Sequence, residues 1–300
     1  MDEERFSTIL NTLYFQRKKD GIKNDFGKTL IFGGSLPYPN APLIAASSSL
    51  LSGNGFTALG VPEKIYPIVA SRAEETIIYE LSLAPEDLVY TKENLTRIFS
   101  SYPSILFGNG IKDDENNLLL LKEILSSYHG NLILDATGLT LYGKLTEEER
   151  KNHACSFLLL TPHLGEARRL FSLTQGSRDP KDYEEIAKGF AKKYNVHILL
   201  KSVSSLYITP EGKSFESSYE PTPSLGRAGS GDGLAGYIAG LFAYATKLFA
   251  PDEIVLFADQ FLHSLAHFAE TKQGAGSLDI RSVESYFVPF LLSYRKESVC

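Results

Sequence analysis

The sequence predicts an α/β fold in which helices cover both faces of a mainly parallel sheet. Short apolar segments, typical of buried strands, alternate with segments whose apolar residues recur at helical spacing. Several of the apolar segments end in glycine-rich or polar turns. No low-complexity linker, composition break or internal repeat divides the chain. We therefore expect one domain over residues 1–300, with a leading helix and loop at 1–28 and a frayed tail at about 290–300.

The composition indicates a cytoplasmic protein that acts on a small molecule. With 43% hydrophobic and 22% charged residues, the 300-residue chain can build one large α/β domain. A formal net charge of −6 argues against a nucleic-acid surface, which is normally basic. Only two cysteines occur, Cys155 and Cys300, so no disulfide framework or zinc spacing is predicted. The amino terminus is acidic and lacks a secretory core, and no apolar run is long enough to span a bilayer.

The expected elements alternate along the chain. An amphipathic helix within residues 3–19 places Phe6, Ile9 and Leu13 on one face. The other expected helices cover residues 43–51, 115–128, 183–194, 234–245 and 254–268. The expected strands cover 29–32, 56–61, 105–107, 132–134, 157–160 and 196–200, and a hairpin joins 205–209 to 213–217. This alternation is typical of parallel strands joined by crossover helices.

Chemistry-bearing residues and tight turns stand directly after the expected strands. They are Gly33-Gly34-Ser35, Gly108-Asn109-Gly110, Asp135, His163 and Lys201. One such turn alone carries little information, because turns favour glycine, asparagine and aspartate. In an open α/β sheet, however, ligands bind at the carboxyl ends of the strands. We therefore expect these residues to converge on one crevice.

A glycine-rich loop leads into the expected helix near residue 234. Gly229, Gly231 and Gly233 surround a single carboxylate, Asp232. Such a loop exposes backbone N–H groups at a helix amino terminus, where the helix dipole favours phosphate. Asp232 is then either the residue that accepts a proton from a substrate hydroxyl or helps to hold a cation, or an N-cap of the helix. The residues alone leave both interpretations open.

The segment Thr161-Pro162-His163-Leu164-Gly165-Glu166 also allows two interpretations. As a helix start, its threonine is the cap, its proline occupies the first helical position, and its glutamate lies in the first turns. As part of a site, its histidine faces the crevice. No second histidine or cysteine lies at zinc-ligand spacing, so no transition-metal site is predicted. His263 and His267, one turn apart in an apolar helix, are typical of packing residues.

Six motifs stand in a defined order along the chain. They are Gly33-Gly34-Ser35 with Ala41-Pro42, Gly108-x-Gly110, Leu134-Asp135-Ala136, Thr161-Pro162-His163-x-Gly165-Glu166, Leu200-Lys201 and Gly229-x-Gly231-Asp232-x-Leu234-Ala235-Gly236. In this order they resemble the motifs of the NAD(P)H-hydrate dehydratases of the ribokinase-like superfamily. The resemblance covers roughly residues 17–275, and an ordered set is far more specific than a single motif.

This resemblance implies a ribokinase-like three-layer αβα sandwich with a mainly parallel central sheet. It also implies an enzyme that uses ADP or ATP to phosphorylate the hydroxyl of hydrated NADH or NADPH and then eliminates phosphate, which repairs the damaged cofactor. Mg²⁺ is implied as a partner of the nucleotide, held largely by phosphate oxygens and water rather than by a protein metal site. Members of the family commonly assemble into homo-oligomers in the cytoplasm.

The resemblance assigns roles to residues by their position in the motifs. Asp232 is implied as the catalytic base. The implied contacts to the hydrated substrate are Ala41, Gly110, His163 and Asp232. The implied contacts to the nucleotide are Lys201, Ser202, Val203, Ser204, Ser205, Gly229 and Gly231.

The chain departs from the family's pattern mainly on the side of the substrate. Asn40 replaces a glycine, Asn109 replaces a proline between two glycines, Thr137 replaces an aspartate, and Ser202 replaces a glycine. Two alternative functions therefore stay open. One is a ribokinase-like kinase of a small hydroxymethyl compound, which releases the phosphoester. The other is a non-catalytic nucleotide-binding relative.

Overall fold

A computed structural model describes residues 1–73, 75–81, 92–174, 176, 179–217 and 219–295. These residues form one sheet of nine strands. The strands are β1 (Thr29–Phe32), β2 (Thr57–Pro62), β3 (Thr76–Leu81), β4 (Ser104–Phe107), β5 (Asn131–Leu134), β6 (Phe157–Leu160), β7 (His197–Leu200), β8 (Leu206–Ile208) and β9 (Ser214–Glu216). Their order is β3-β2-β1-β4-β5-β6-β7-β8-β9. Neighbours from β3 to β7 run parallel, and β8 and β9 add an antiparallel hairpin at one edge.

The described residues also form thirteen α-helices. They are α1 (Glu3–Tyr14), α2 (Ala41–Leu51), α3 (Tyr66–Ala70), α4 (Lys92–Ser101), α5 (Glu115–Ser127), α6 (Thr137–Lys144), α7 (Glu147–Lys151), α8 (Leu164–Leu170), α9 (Glu184–Tyr194), α10 (Ser230–Phe242), α11 (Pro251–Gln273), α12 (Ile280–Ser285) and α13 (Phe287–Ser293). Short 3₁₀ helices cover Lys23–Phe26, Glu63–Ile65, Pro180–Tyr183, Pro223–Leu225, Ala245–Lys247 and Ala275–Ser277. Within the described part of the chain, every helix is too short or too polar to cross a membrane.

Two apolar clusters, one on each face of the sheet, make the fold a three-layer αβα sandwich. Successive side chains of a strand point to opposite faces, so in β4 Leu106 belongs to one cluster and Ile105 to the other. The Leu106 cluster packs against α1, α2 and α10 to α13. The Ile105 cluster packs against α5, α6, α8 and α9. The predicted α/β fold with a mainly parallel sheet is therefore confirmed.

All six predicted parallel strands and the hairpin are present, whereas part of the fold had no counterpart in the prediction. We predicted no element for residues 62–104, which contain α3, β3 and α4. The first helix, from Glu3 to Tyr14, lies within the predicted residues 3–19. At the other end, α13 buries Phe290 and Leu291, and residues 296–300 lie outside the described residues. The frayed tail stays a prediction.

Candidate active site

The carboxyl ends of β4 to β7 bring the predicted polar residues to one edge of the sheet. Gly108-Asn109-Gly110 follows β4, Asp135 follows β5, and the Thr161-Pro162-His163 segment follows β6. Lys201 follows β7 and forms a parallel bridge with His163, which extends the pairing of β6 and β7 by a few residues. The predicted convergence on one crevice is thus present in the fold.

The amino terminus of α10 faces the same edge. Gly229 is its N-cap residue, with φ of 97°, a left-handed conformation that favours glycine. In the described residues no side chain caps this end of the 13-residue helix. The N–H of Ser230 donates to the carbonyl of Arg227, whereas the N–H groups of Gly231 and Asp232 have no acceptor among the described residues and are available to an anion. Asp232 lies in the first turn, three residues after the cap. The interpretation of Asp232 as the N-cap is therefore wrong, because a left-handed glycine starts the helix earlier.

Asp135 is the centre of a buried polar network. Its Oδ1 accepts hydrogen bonds from Lys201 Nζ at 2.6 Å and from Thr161 Oγ1 at 2.8 Å. Its Oδ2 accepts one from Asn109 Nδ2 at 3.1 Å, and the same Nδ2 lies 2.6 Å from Oδ1 of Asp232. The network therefore connects the ends of β4, β5, β6 and β7 to the first turn of α10.

Gly231 allows α10 to approach this network. A Cβ placed on Gly231 would lie 3.2 Å from Lys201 Nζ and 3.8 Å from Asp135 Oδ2. A side chain here would crowd the ammonium group, so a glycine fits the close approach of helix and lysine. Gly231 and Lys201 therefore flank a single site.

Burial and neighbouring charges tune the two ionisable groups that face the crevice. Burial raises the pKa of Asp232 to about 6, and the charge of Asp135 adds to this, whereas the Asn109 hydrogen bond and the charge of Lys201 oppose it. Burial alone would lower the pKa of Lys201, but the charges of Asp135 and Glu166 outweigh it and raise that pKa above its ordinary value. Asp232 is therefore an ionised carboxylate at neutral pH that binds a proton readily.

A cavity of about 590 Å³ opens beside the network. Five of the seven predicted nucleotide contacts line it: Lys201, Ser202, Val203, Ser205 and Gly231. The other two do not. Ser204 turns its hydroxyl to Glu216 and to the carbonyl of Ser217, and a Cβ on Gly229 would face Ile44 and Ile280 instead.

His163 lines the same cavity as the predicted nucleotide contacts. Its Nδ1 accepts hydrogen bonds from the backbone N–H groups of Gly165 at 3.0 Å and Glu166 at 3.3 Å. It is the N-cap of α8, which begins at Leu164. The cap predicted at Thr161 is therefore wrong, because that side chain is bound to Asp135. A contact of His163 with the hydrate stays a prediction.

Ala41 and Gly110, two of the predicted contacts to the hydrate, lie against each other. A Cβ on Gly110 would lie 2.8 Å from the Cβ of Ala41, and the carbonyl of Gly110 accepts a hydrogen bond from Ser35 Oγ at 2.6 Å. Tyr38 also approaches Gly110, and its side chain is 64% exposed. Gly110 directly follows Asn109, whose side chain donates a hydrogen bond to Asp232. The chain therefore connects Gly110 and its neighbour Ala41 to the predicted base.

Comparisons with known proteins show the family of the chain. A family model described as NAD(P)H-hydrate dehydratase matches residues 29–286. The chain belongs to the NAD(P)H-hydrate dehydratase family. It is 30% identical over 226 residues to the ADP-dependent (S)-NAD(P)H-hydrate dehydratase of Xanthomonas campestris, an alignment that covers 74% of each chain.

Longer relatives are named as bifunctional NAD(P)H-hydrate repair enzymes. The bifunctional NAD(P)H-hydrate repair enzyme of Thermofilum pendens is 29% identical over 292 residues, which cover 94% of this chain and 53% of the relative. The chain spans about half the length of these bifunctional relatives.

Solved structures show the fold of this dehydratase family member. The ADP/ATP-dependent NAD(P)H-hydrate dehydratase of Bacillus subtilis, co-crystallised with ATP/Mg²⁺, has a TM-score of 0.76 at 21% identity and covers 96% of this chain and 97% of its own. A ribokinase-like protein of Enterococcus faecalis has a TM-score of 0.74 at 24% identity and covers 96% and 94%. The predicted ribokinase-like fold is confirmed.

The departures from the dehydratase family's motifs have defined positions in the structure. Asn40 Oδ1 accepts a hydrogen bond from Arg72 Nη1 at 2.6 Å. Asn109 is part of the polar network, Thr137 is the first residue of α6, and Ser202 lines the cavity. The side chain at 109 is therefore the departure that touches the catalytic carboxylate predicted for this family.

Sequence reasoning missed a second carboxylate in this dehydratase family member. Asp259 of α11 lines the cavity and is wholly buried. Its two oxygens accept hydrogen bonds from Ser205 Oγ at 3.1 Å and Ser217 Oγ at 2.6 Å, and burial raises its pKa to about 6. A lone aspartate within an apolar helical face was the available signal. His263, one turn further, is half-buried and lines the cavity, and His267 is exposed, so the prediction that both are packing residues is wrong for His267.

Proposed function

We propose that the protein is a nucleotide-dependent NAD(P)H-hydrate dehydratase that repairs hydrated NADH or NADPH. The single observation that carries the proposal is the position of Asp232. This carboxylate lies in the first turn of an uncapped helix, beside the cavity lined by Lys201 and Gly231, and its pKa is raised to about 6. The relatives named as ADP-dependent dehydratases support the assignment of substrate and nucleotide.

The two sides of Asp232 suggest where the two substrates bind. The nucleotide occupies the cavity lined by Lys201 to Ser205, with its phosphates at the amino terminus of α10, where amides and dipole favour them. The hydrated ring lies toward Ala41 and Gly110. The ring hydroxyl then faces both Asp232 and the terminal phosphate. Holding two reactants in this way is a large part of phosphoryl-transfer catalysis.

The reaction follows from these positions. Asp232 accepts the proton of the ring hydroxyl while the hydroxyl oxygen bonds to the terminal phosphorus and the bond to the nucleotide's leaving oxygen breaks. The phosphate is a good leaving group, so the ring nitrogen's electron pair expels it with the C–O bond electrons. Transfer of a proton from the adjacent ring carbon to water then restores the dihydropyridine. Lys201 stays charged and offsets the negative charge around the phosphates.

Mg²⁺ fits this site only as a partner of the nucleotide. In the part of the chain that the structure describes, no three histidine, cysteine or acidic side chains are grouped to hold a metal ion. Both oxygens of Asp135 already accept hydrogen bonds from Lys201, Thr161 and Asn109. Bound phosphate oxygens and water would therefore supply most of the ligands, and the ion would neutralise phosphate charge.

The resemblance further supports a homo-oligomer in the cytoplasm. Light scattering of the purified protein can test the oligomeric state.

The test is to incubate the protein with the hydrate of NADH or NADPH, Mg²⁺ and either ADP or ATP. We expect recovery of dihydronicotinamide absorbance with release of inorganic phosphate, and loss of both in Asp232→Asn. Transfer of phosphate to a hydroxymethyl compound without elimination would instead favour the kinase. Nucleotide binding without turnover of any substrate would favour the non-catalytic relative. Either of these results overturns the proposal.

A further inference from the structure

Asn109 occupies a position that no motif assigns to chemistry. It is 0% exposed, and its single amide group lies between the two carboxylates of the site. Nδ2 donates to Asp232 Oδ1 at 2.6 Å and to Asp135 Oδ2 at 3.1 Å. An NH₂ group has two hydrogens, so one amide can satisfy one oxygen of each carboxylate. Asn109 therefore bridges the predicted base and the centre of the polar network.

The other end of the bridge is fixed. Asp135 also accepts hydrogen bonds from Lys201 and Thr161 through its Oδ1, and charge-assisted bonds of this kind hold a carboxylate firmly. The backbone of the 109 turn is held as well, since its carbonyl accepts a hydrogen bond from the Gly34 N–H at 2.8 Å. Asn109 thus links the first turn of α10 to groups that are held in place at the edge of the sheet.

The orientation of the Asn109 amide is determined by its neighbours. Oδ1 of Asn109 is buried and has no hydrogen-bond partner among the described residues. A flipped amide would place this oxygen against Asp232 Oδ1 and Asp135 Oδ2, where it would be repelled. The two carboxylates therefore hold the amide with Nδ2 toward them, at the cost of an unsatisfied carbonyl oxygen.

The bridge also distinguishes the two oxygens of Asp232. Oδ1 accepts the hydrogen bond from Asn109, and no hydrogen bond from the described residues reaches Oδ2. We propose that Asn109 is the positioning residue of the catalytic carboxylate, fixing Asp232 through Oδ1 so that Oδ2 accepts the proton of the substrate hydroxyl. The proposal rests on the proposed function, because that function supplies the substrate hydroxyl. The hydrogen bonds of the bridge are present in the protein without substrate. The dehydratase family usually has a proline at this position, and proline has no side-chain donor, so the bridge departs from the family's usual pattern.

The test uses Asn109→Leu, which keeps the volume similar and removes both donors. The readout is the titration of Asp232, followed by infrared spectroscopy of protein labelled with ¹³C at aspartate carboxyls, with Asp232→Asn identifying the band. Because the lost donor favours the ionised form, we expect the titration midpoint of Asp232 to rise by roughly one pH unit. The acid limb of kcat/KM should move by the same amount. We expect kcat to fall about 10- to 100-fold with KM little changed, since the carboxylate is misplaced rather than removed.

Asn54→Leu is the matched control. Asn54 is also a buried asparagine, and its Nδ2 lies within hydrogen-bond distance of the hydroxyls of Thr29, Ser49 and Thr57 near the opposite ends of the strands. This variant should lower the free energy of unfolding and leave the Asp232 titration unchanged. If Asn109→Leu does not fold, Asn109→Ala removes the same donors with less crowding.

The outcomes separate this inference from the proposed function. An unchanged Asp232 titration in the folded Asn109 variant, or an equal shift in Asn54→Leu, overturns the positioning role even if the wild-type protein is an active dehydratase. A shifted titration in a protein that does not turn over the hydrate supports the bridge and contradicts the proposed function.

Discussion

Asp232 and Asp259 are two carboxyl groups beside one cavity, and burial raises the pKa of each to about 6. Their hydrogen bonds differ. Asp259 is wholly buried, and hydroxyl groups from Ser205 and Ser217 reach both of its oxygens. Asp232 is partly exposed in the first turn of α10, and within the described part of the chain its carboxylate accepts a hydrogen bond from Asn109 alone, through a single oxygen.

The comparison teaches that a raised pKa does not by itself identify a base. Ser205 immediately precedes β8 and Ser217 immediately follows β9. Asp259 therefore ties both ends of the hairpin to α11, and the hairpin's start forms part of the cavity wall. For Asp232, by contrast, no hydrogen bond from the described residues reaches Oδ2, and no side chain among them caps the amino terminus of the helix that carries it. Its unsatisfied oxygen, rather than its pKa, makes it suited to accept a substrate proton.

The largest expected effect separates the two carboxylates by activity. We expect Asp232→Asn to lower kcat about 10²- to 10⁴-fold, because it removes a general base. Asp259→Asn keeps the size of the side chain. It should lower kcat by less than about 10-fold, since Asp259 affects the site only through the position of the hairpin. Steady-state kinetics on folded variants, checked by circular dichroism, would measure both values. Equal losses in the two variants would show that the distinction drawn from their hydrogen bonds is wrong.

The convergence of the site could be predicted because it follows from topology. Asp135, His163 and Lys201 each come directly after an apolar strand, and the carboxyl ends of parallel strands share one edge. The helix start at the glycine-rich loop could also be predicted, because the glycines and the apolar run that follows them are a local pattern in the sequence. Its exact first residue was not, because Gly229 begins the helix by its left-handed conformation and without a capping side chain.

The partners of the two carboxylates could not be predicted. Asn109 is 123 positions from Asp232 in the chain, and Ser205 is 54 positions from Asp259. No local pattern fixes which side chains meet across such separations. The missed β3 strand has a similar cause. It is the edge strand, with Ile77 46% exposed, so its apolar residues do not form the buried run that marks the central strands.

A smaller effect concerns the pH dependence of stability. The folded-state pKa of Asp259 is about 6, whereas an unfolded aspartate titrates near about 3.9. Between these values the folded state binds more protons than the unfolded state, so stability is gained as pH falls from about 6 to 4 and lost as it rises. At one pKa unit per 1.36 kcal/mol, Asp259 contributes a change of about 3 kcal/mol across this window.

Asp259→Asn should remove that contribution, and urea unfolding at intervals between pH 4 and pH 7 would measure it. The difference between variant and wild type matters, because Glu284, whose pKa burial also raises, keeps its own pH dependence in both. Asp232→Asn should also reduce the dependence of the free energy of unfolding on pH. The reduction should be smaller than for Asp259→Asn, since Asp232 is partly exposed. A steeper dependence of the free energy of unfolding on pH in either variant would contradict the raised pKa of the aspartate that it replaces.

The smallest expected effect tests whether Asp259 depends on its hydroxyl partners. Ser217→Ala removes the donor at 2.6 Å from Asp259 Oδ2 and leaves a buried carboxylate oxygen unsatisfied. We expect the free energy of unfolding at pH 7 to fall by about 1–3 kcal/mol, with kcat nearly unchanged. Ser204→Ala, on the same hairpin, is the matched control, because its hydroxyl bonds to the exposed Glu216 and should cost less than about 1 kcal/mol. If Ser217→Ala instead abolished turnover while stability was kept, Asp259 would belong with Asp232 among the groups that act on substrate, since a carboxylate that only anchors the hairpin affects activity through folding alone.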